Sequence, residues 1–352
     1  MKLIYVTPFG EPHSLRFDIL FKSLSENYAL INIFDTHSDN PYIIIDNHKI
    51  SGWNSIKNYL RFESTLLISG PLDEVSLNLA CSEINHIAIS YATDVMVSAG
   101  LSLNSLLRFK ELIPTFRSII VDNYATENAL ISMGLCSQRI IRVPWGPIDI
   151  PVARINDART DFKIRKNVFT ILYPRKLESH YQPHVFIKSL RQVVKKYPKI
   201  LAVLISNGSL ARDIRRFIIE LNLEGNVQWV KPQITSKFHD LIHLSDAVVV
   251  SPKTDGTSVT ILEAMHLGVP VISSLTSGSS EWVINGITGW SYPVGNSEEL
   301  SNAIINLIEL DPRYVKTVCD NAATLVSSKA GWARSSEILI KSLKKILHQY
   351  TL

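Results

Sequence analysis

Short apolar runs punctuate the whole chain, at residues 2–7, 29–34, 42–45, 66–69, 87–90 and 119–121, and again at 168–173, 201–206, 227–230, 247–250 and 269–272. Several are apolar at consecutive positions, which is the mark of strands buried on both faces of a parallel sheet. Between them lie stretches with a helical period. After Pro183, Phe186, Leu190, Val193, Val194 and Tyr197 fall on one side,. Asn296 and Glu299 form a capping box that opens a helix with Leu300, Ala303, Ile304, Leu307 and Ile308 apolar,. From Trp332 a last amphipathic helix carries Ile338, Leu339, Leu343, Ile346 and Leu347, with Lys341, Lys344 and Lys345 towards water. Strands alternating with helices predict an α/β fold with parallel sheets.

The most informative stretch is 251–272, SPKTDGTSVTILEAMHLGVPVI. The run 247–250 ends before it, and a new run starts at Val269. Gly256, Thr257 and Ser258 open a helical pattern that Gly268 closes, with Pro270 beyond,. The unit reads as strand, tight loop, helix, strand, with its loop at the carboxyl end of a buried parallel strand, where open α/β sheets bind ligands. Asp255 lies in the loop, and Glu263 sits in the helix, leaning back towards the same mouth,. The amides of Thr257, Ser258 and Val259 face outward from the positive helix end. Carboxylates accept from sugar hydroxyls and amides donate to phosphate oxygens, so the mouth suits a polyhydroxylated, phosphate-bearing ligand. Two solvated carboxylates are the competing reading.

A length of 352 residues suits two α/β domains,. The expected division is a first domain at 1–152, a linker at 153–167, a second domain at 168–330 and a last helix at 331–352. No run of about 18 apolar residues occurs, and the start, MKLIYVTPFG, reads as a first strand and not a signal peptide,. Cys81, Cys136 and Cys319 are few and scattered, which suggests neither a disulfide framework nor a zinc site,. A cytoplasmic protein is expected. The net charge of +4 calls for no nucleic-acid partner, and the lysines of the last helix leave peripheral contact with the inner face of an anionic membrane open,. There is no G-x-G-x-x-G fingerprint and no Asp-x-Asp, so neither a dinucleotide cofactor nor a metal-bound diphosphate is suggested,.

The string DGTSVTILEAMHLGVPVI resembles the donor-site signature of retaining GT-B glycosyltransferases of family four: an acid, seven residues, Glu-Ala-Met, a glycine and Pro-Val-Ile. The resemblance implies two Rossmann-like domains facing across a cleft, with the last helix crossing back to brace the first. It implies sugar transfer with retention from a nucleoside diphosphate sugar (UDP- or GDP-sugar) to a hydroxyl of a glycan, glycolipid or protein-glycan acceptor, without a metal. Glu263 would hold the ribose hydroxyls. Asp255, Gly256 and the amides of Thr257, Ser258 and Val259 would hold the transferred sugar and the distal phosphate. Arg175, at the carboxyl end of the strand at 168–173, matches the family's diphosphate-binding arginine, and Asp255 and Arg175 are the expected catalytic pair. The partner lysine is missing. Tyr181 stands at its place; Lys176 and His180 are candidate substitutes, with a solvated side chain the competing reading of Lys176. Asn207 and Gly208 match a glycine turn beside the phosphates, and Gln233 falls in the loop that cradles the base. Gly10 belongs to the first strand–helix loop.

On the acceptor side, PHSLRF resembles the start of several family members, which makes His13 and Arg16 candidates. Tyr91 occupies a position where many members have histidine, followed by Asp94. His13 as a helix cap, Arg16 on a wet helix face and Asp94 as a loop brace are their structural alternatives. A sugar-nucleotide epimerase or phosphorylase of the same fold is an alternative enzyme, and a degenerate nucleotide-sugar binding scaffold is an alternative of another class.

Overall fold

The structure is a computed structural model; it describes residues 2–8, 14–36, 38, 40–45, 47–63, 66–72, 74–80, 85–96, 103–148, 155–233 and 235–348. The chain divides into two compact units, one of Met1–Pro144 with Ser335–Leu352, the other of Trp145–Arg334.

The first unit begins with β1 (Lys2–Pro8), α1 (Ser14–Lys22), β2 (Asn27–Ile33), β3 (Tyr42–Ile45), β4 (His48–Ser51) and α2 (Trp53–Glu63). It continues through β5 (Leu66–Ser69), α3 (Glu74–Leu79), β6 (His86–Ile89), α4 (Thr93–Met96) and α5 (Leu103–Leu112), then β7 (Ser118–Val121), α6 (Tyr124–Ser132) and β8 (Ile140–Arg142). Its main sheet runs β2-β1-β5-β6-β7-β8, parallel throughout. The run at 42–45 departs from the parallel expectation. It pairs antiparallel with β4 in a separate hairpin, because the two strands are too close in sequence for a crossover helix,.

In the second unit, α7 (Ile155–Asp161) leads to β9 (Thr170–Tyr173), α8 (Pro183–Lys196), β10 (Leu201–Ile205), α9 (Ala211–Glu220) and β11 (Val227–Val230). Then come α10 (Thr235–His243), β12 (Ala247–Val250), α11 (Val259–His266), β13 (Val271–Ser274), β14 (Trp290–Tyr292), α12 (Ser297–Glu309) and α13 (Pro312–Lys329). The stretch expected to be a linker, 153–167, instead holds α7, and Ala158 and Ile164 are buried in this unit's core. A polar composition concealed it, since among its described residues only Ala158 and Ile164 are buried and Phe162 packs partly buried against the same core. The last helix, α14 (Trp332–His348), buries Leu339 and Leu343 and leaves Ile338 exposed.

The second sheet runs β11-β10-β9-β12-β13-β14, all parallel. The chain steps outward from β9 to β11, then returns to β12 on the other side of β9 and steps outward again. That reversal is a topological switch point between β9 and β12, where the connecting loops diverge. Both faces are covered, and successive strand residues alternate between two cores. Leu201, Val203, Val248 and Val250 pack with α10, α11 and α13, whereas Ala202, Leu204, Ala247 and Val249 pack with α8, α9 and α12. Burial on both faces is why these strands read as continuous apolar runs.

Candidate active site

β9 ends at Tyr173 and β12 at Val250, so the loops that follow leave the sheet at the switch point. Arg175 comes from the first loop and Asp255 from the second. Arg175 Nη2 donates to Asp255 Oδ2 at 3.0 Å, and Nη1 donates to Ser258 Oγ at 3.2 Å. The ion pair is mostly buried, with side-chain exposures of 14% and 13%. Burial pushes the Asp255 carboxyl above the ordinary carboxylate range, although Arg175, His180 and the Gly256 amide pull the other way,. Burial works most strongly against the Arg175 charge, but Asp255 together with Tyr181 and Tyr173 outweighs it and holds the guanidinium above its ordinary value.

Tyr181, at the place of the missing lysine, brings a ring instead of a charge. The Arg175 guanidinium carbon lies 4.0 Å from its centroid, a stacking that holds the cation in one plane,. Tyr181 is itself anchored through its backbone carbonyl, which accepts from Tyr173 Oη at 2.5 Å and Ser251 Oγ at 2.7 Å. Sequence reading missed this anchor, since both hydroxyls lie inside strand ends that look merely apolar. Beside it, His180 is kept below the ordinary imidazole range by burial, against the attraction of Asp255. Lys176 points to solvent.

Ser258 is the N-cap residue of α11, but its side chain makes no capping bond. The hydroxyl is taken by Arg175 instead, so the expected side-chain cap is absent and the first-turn amides keep their outward dipole,. The other end follows expectation. Gly268 adopts φ +70°, and the Val269 amide donates to the Ala264 carbonyl at 2.9 Å,. The Asp255–Gly256 loop is packed tightly from behind: a Cβ on Gly278 would stand 2.1 Å from the Gly256 carbonyl oxygen. Asn207 and Gly208 lie against the Arg175 loop, where the Leu177 amide donates to the Asn207 carbonyl at 2.6 Å. Gly208 has φ +123°, and a Cβ there would lie 2.5 Å from the Leu177 nitrogen.

Glu263 is buried rather than open at the mouth, with 6% of the residue exposed. Its Oε1 lies 3.1 Å from Nε2 of His239, on α10. The sequence reading passed over His239 because the two lie 24 residues apart on different helices. Its one signal was a histidine two positions before the apolar pair Leu241-Ile242. Gln233 is half-buried and donates to the Lys231 carbonyl of its own loop at 2.7 Å.

In the first unit, Asp94 is a brace and not an open acceptor-side group. Its Oδ2 accepts from the Leu72 and Tyr91 amides, and its Oδ1 from Ser90 Oγ and the Val95 amide, at 2.6 to 2.9 Å. Tyr91 is half-buried, its ring stacked 6.5 Å from that of Phe17. Gly10 and His13 lie outside the described residues. Arg16 lies in α1, with its side chain outside the description. Among the described residues no group of three or more His, Cys, Asp or Glu forms a metal-binding cluster, and no helix is long and apolar enough to cross a membrane.

Residues 155–323 match the model of the family "Glycosyl transferases group 1". That match covers 169 of the 352 residues, all of them in the second unit, and is a similarity to this family. A D-inositol 3-phosphate glycosyltransferase of Pseudarthrobacter chlorophenolicus is 22% identical over 53% of this chain and 44% of its own length. A sucrose synthase of Denitrovibrio acetiphilus is 28% identical over 34% of this chain and 16% of its own. The chain thus spans less than half the length of these curated relatives. Among solved structures, HepE of Anabaena in complex with UDP-glucose superposes with a TM-score of 0.78 at 18% identity, covering 98% of this chain and all of that one. The sucrose-phosphate synthase of Thermosynechococcus elongatus gives 0.77 at 16% identity over 99% and 100%. The chain has the GT-B fold, with two Rossmann-like parallel-sheet halves.

Proposed function

We propose that the protein transfers a sugar from a nucleoside diphosphate sugar to a hydroxyl of a carbohydrate or lipid-linked acceptor, with retention at the anomeric carbon. The observation that carries this reading is the juxtaposition of Arg175, Asp255 and the N-terminus of α11 at the switch point of the second unit's sheet. A departing diphosphate needs a fixed cation and aligned amide dipoles more than it needs a covalent nucleophile. Arg175 supplies the cation, pre-oriented by Tyr181, and the amides of Thr257, Ser258 and Val259 supply the dipoles. Asp255 holds the guanidinium until the donor's phosphates replace it as counter-anion, and then accepts from the hydroxyls of the transferred sugar. Attack comes from the face the leaving group departs, and the leaving phosphate oxygen takes the acceptor's proton.

Uridine is the base we favour, because HepE is seen with UDP-glucose and the pneumococcal O-GlcNAc transferase GtfA with UDP. The test is the shift in melting temperature with millimolar UDP, GDP, ADP and CDP, since a ligand specific to the native state stabilises it by mass action. A rise with UDP that is lost in Glu263→Ala supports the reading. No rise with any nucleotide would overturn it.

A further inference from the structure

The pair His239–Glu263 joins two helices at 3.1 Å, with 3% and 8% of the side chains exposed. A buried carboxylate is costly unless a donor meets it, and here the donor is an imidazole held on α10. The contact uses only Oε1. The other oxygen, Oε2, has no hydrogen-bond partner among the described residues, and neither does Nδ1 of His239. With Nδ1 unpartnered, the arrangement that fits puts a proton on Nε2, directed at Glu263,. The ring therefore does two things for the carboxylate. It satisfies one oxygen, and it removes the freedom to rotate that would let either oxygen drift from a ligand.

We propose that His239 is a positioning residue for the donor: its Nε2–H fixes Oε1 of Glu263 so that Oε2 is presented to the ribose hydroxyls of the bound nucleotide. This rests on the reading of Glu263 as the ribose-holding carboxylate, and adds what makes that carboxylate rigid. A histidine that merely fills the interior would affect folding but not the recognition of two hydroxyls.

The experiment measures Kd for UDP and for 2′,3′-dideoxy-UDP by calorimetry, in the full chain. In the wild type, losing the ribose hydroxyls should weaken binding by about tenfold or more, the worth of a hydrogen bond to a charged group. In His239→Leu the ratio of the two constants should fall towards one, chiefly through weaker UDP binding. His239→Gln carries an amide to the place of Nε2 and should restore the ratio. His239→Asn, whose amide falls short near the Nδ1 position, should not, and it serves as the readout if the leucine variant fails to fold. An unchanged ratio in Glu263→Ala would sink the reading of Glu263 and the role of His239 with it. A ratio that collapses in Glu263→Ala but survives in both His239→Leu and His239→Asn would overturn the role of His239 alone. Failure of the wild type to bind UDP would overturn the uridine donor and this role together.

Discussion

Replacing Arg175 with methionine keeps most of the side-chain stem and removes the charge, which isolates Asp255. At 3.0 Å and an effective dielectric of about 20, the lost attraction is roughly 5 kcal/mol,. The small solvent access of both groups, together with the relief of no longer burying a guanidinium, brings the net cost to about 3 kcal/mol, the lower end for breaking a buried pair. For a unit of this size that is a drop of about 6–12 °C in melting temperature. The cost should depend on pH with a definite sign. A carboxyl whose pKa is raised by burial binds more protons folded than unfolded, so its charged form costs stability,. That cost is absent below the ordinary carboxylate pKa and complete above the raised one. Removing Arg175 raises the pKa further, so the deficit should be largest at neutral pH and should shrink towards pH 4. Adding Asp255→Asn removes the unpaired charge and should recover most of the stability, while transfer stays depressed by about 100-fold or more. The assay is urea unfolding of both single variants and the double variant at pH 7.5 and 4.5. A single Arg175 variant within about 0.5 kcal/mol of wild type at pH 7.5, or a double variant no more stable than it, would refute the ion-pair account.

Three further outcomes follow from the same geometry. Gly208→Ala forces a Cβ against the Leu177 backbone at a φ of +123°, and should lower stability by about 2 kcal/mol or more in urea unfolding,. His86 is buried against Phe116 with its pKa depressed to about 3 by burial, so it stays neutral in the fold while the unfolded chain takes up a proton below about 6.5,. The stability tied to it is full above pH 6.5 and should fall by on the order of 2 kcal/mol between pH 7 and 5, a slope that His86→Gln should flatten. Tyr181→Phe keeps the ring under Arg175 and should leave transfer near normal, whereas Tyr181→Ala should lower kcat/KM by about 30-fold, the worth of a desolvated cation–π contact of about 2 kcal/mol,.

Much of the second unit's architecture was legible because it is local. Consecutive apolar residues such as 247–250 have nowhere to lie but inside a sheet covered on both faces, and Gly268 can end α11 because its φ of +70° suits glycine. The β–loop–helix unit around Asp255 and the N-cap at Asn296, whose Oδ1 accepts from the Glu298 and Glu299 amides, follow from spacing and turn chemistry alone. What the chain order does not contain is which distant loops share a strand end. The placement of β12 beside β9 puts Arg175 against Asp255, 80 residues away. The same folding gives the Ser258 hydroxyl to Arg175 in place of its own helix, and turns Glu263 inward onto His239. Asp94 likewise reads as a candidate ligand until the Leu72 amide, 22 residues earlier, takes its oxygen. Short-range preferences decide what each segment becomes, because backbone dihedrals and burial periodicity act over a few residues. The partners of polar side chains are decided by tertiary packing, because a buried charge must find its counterpart wherever the sheet order brings one within reach.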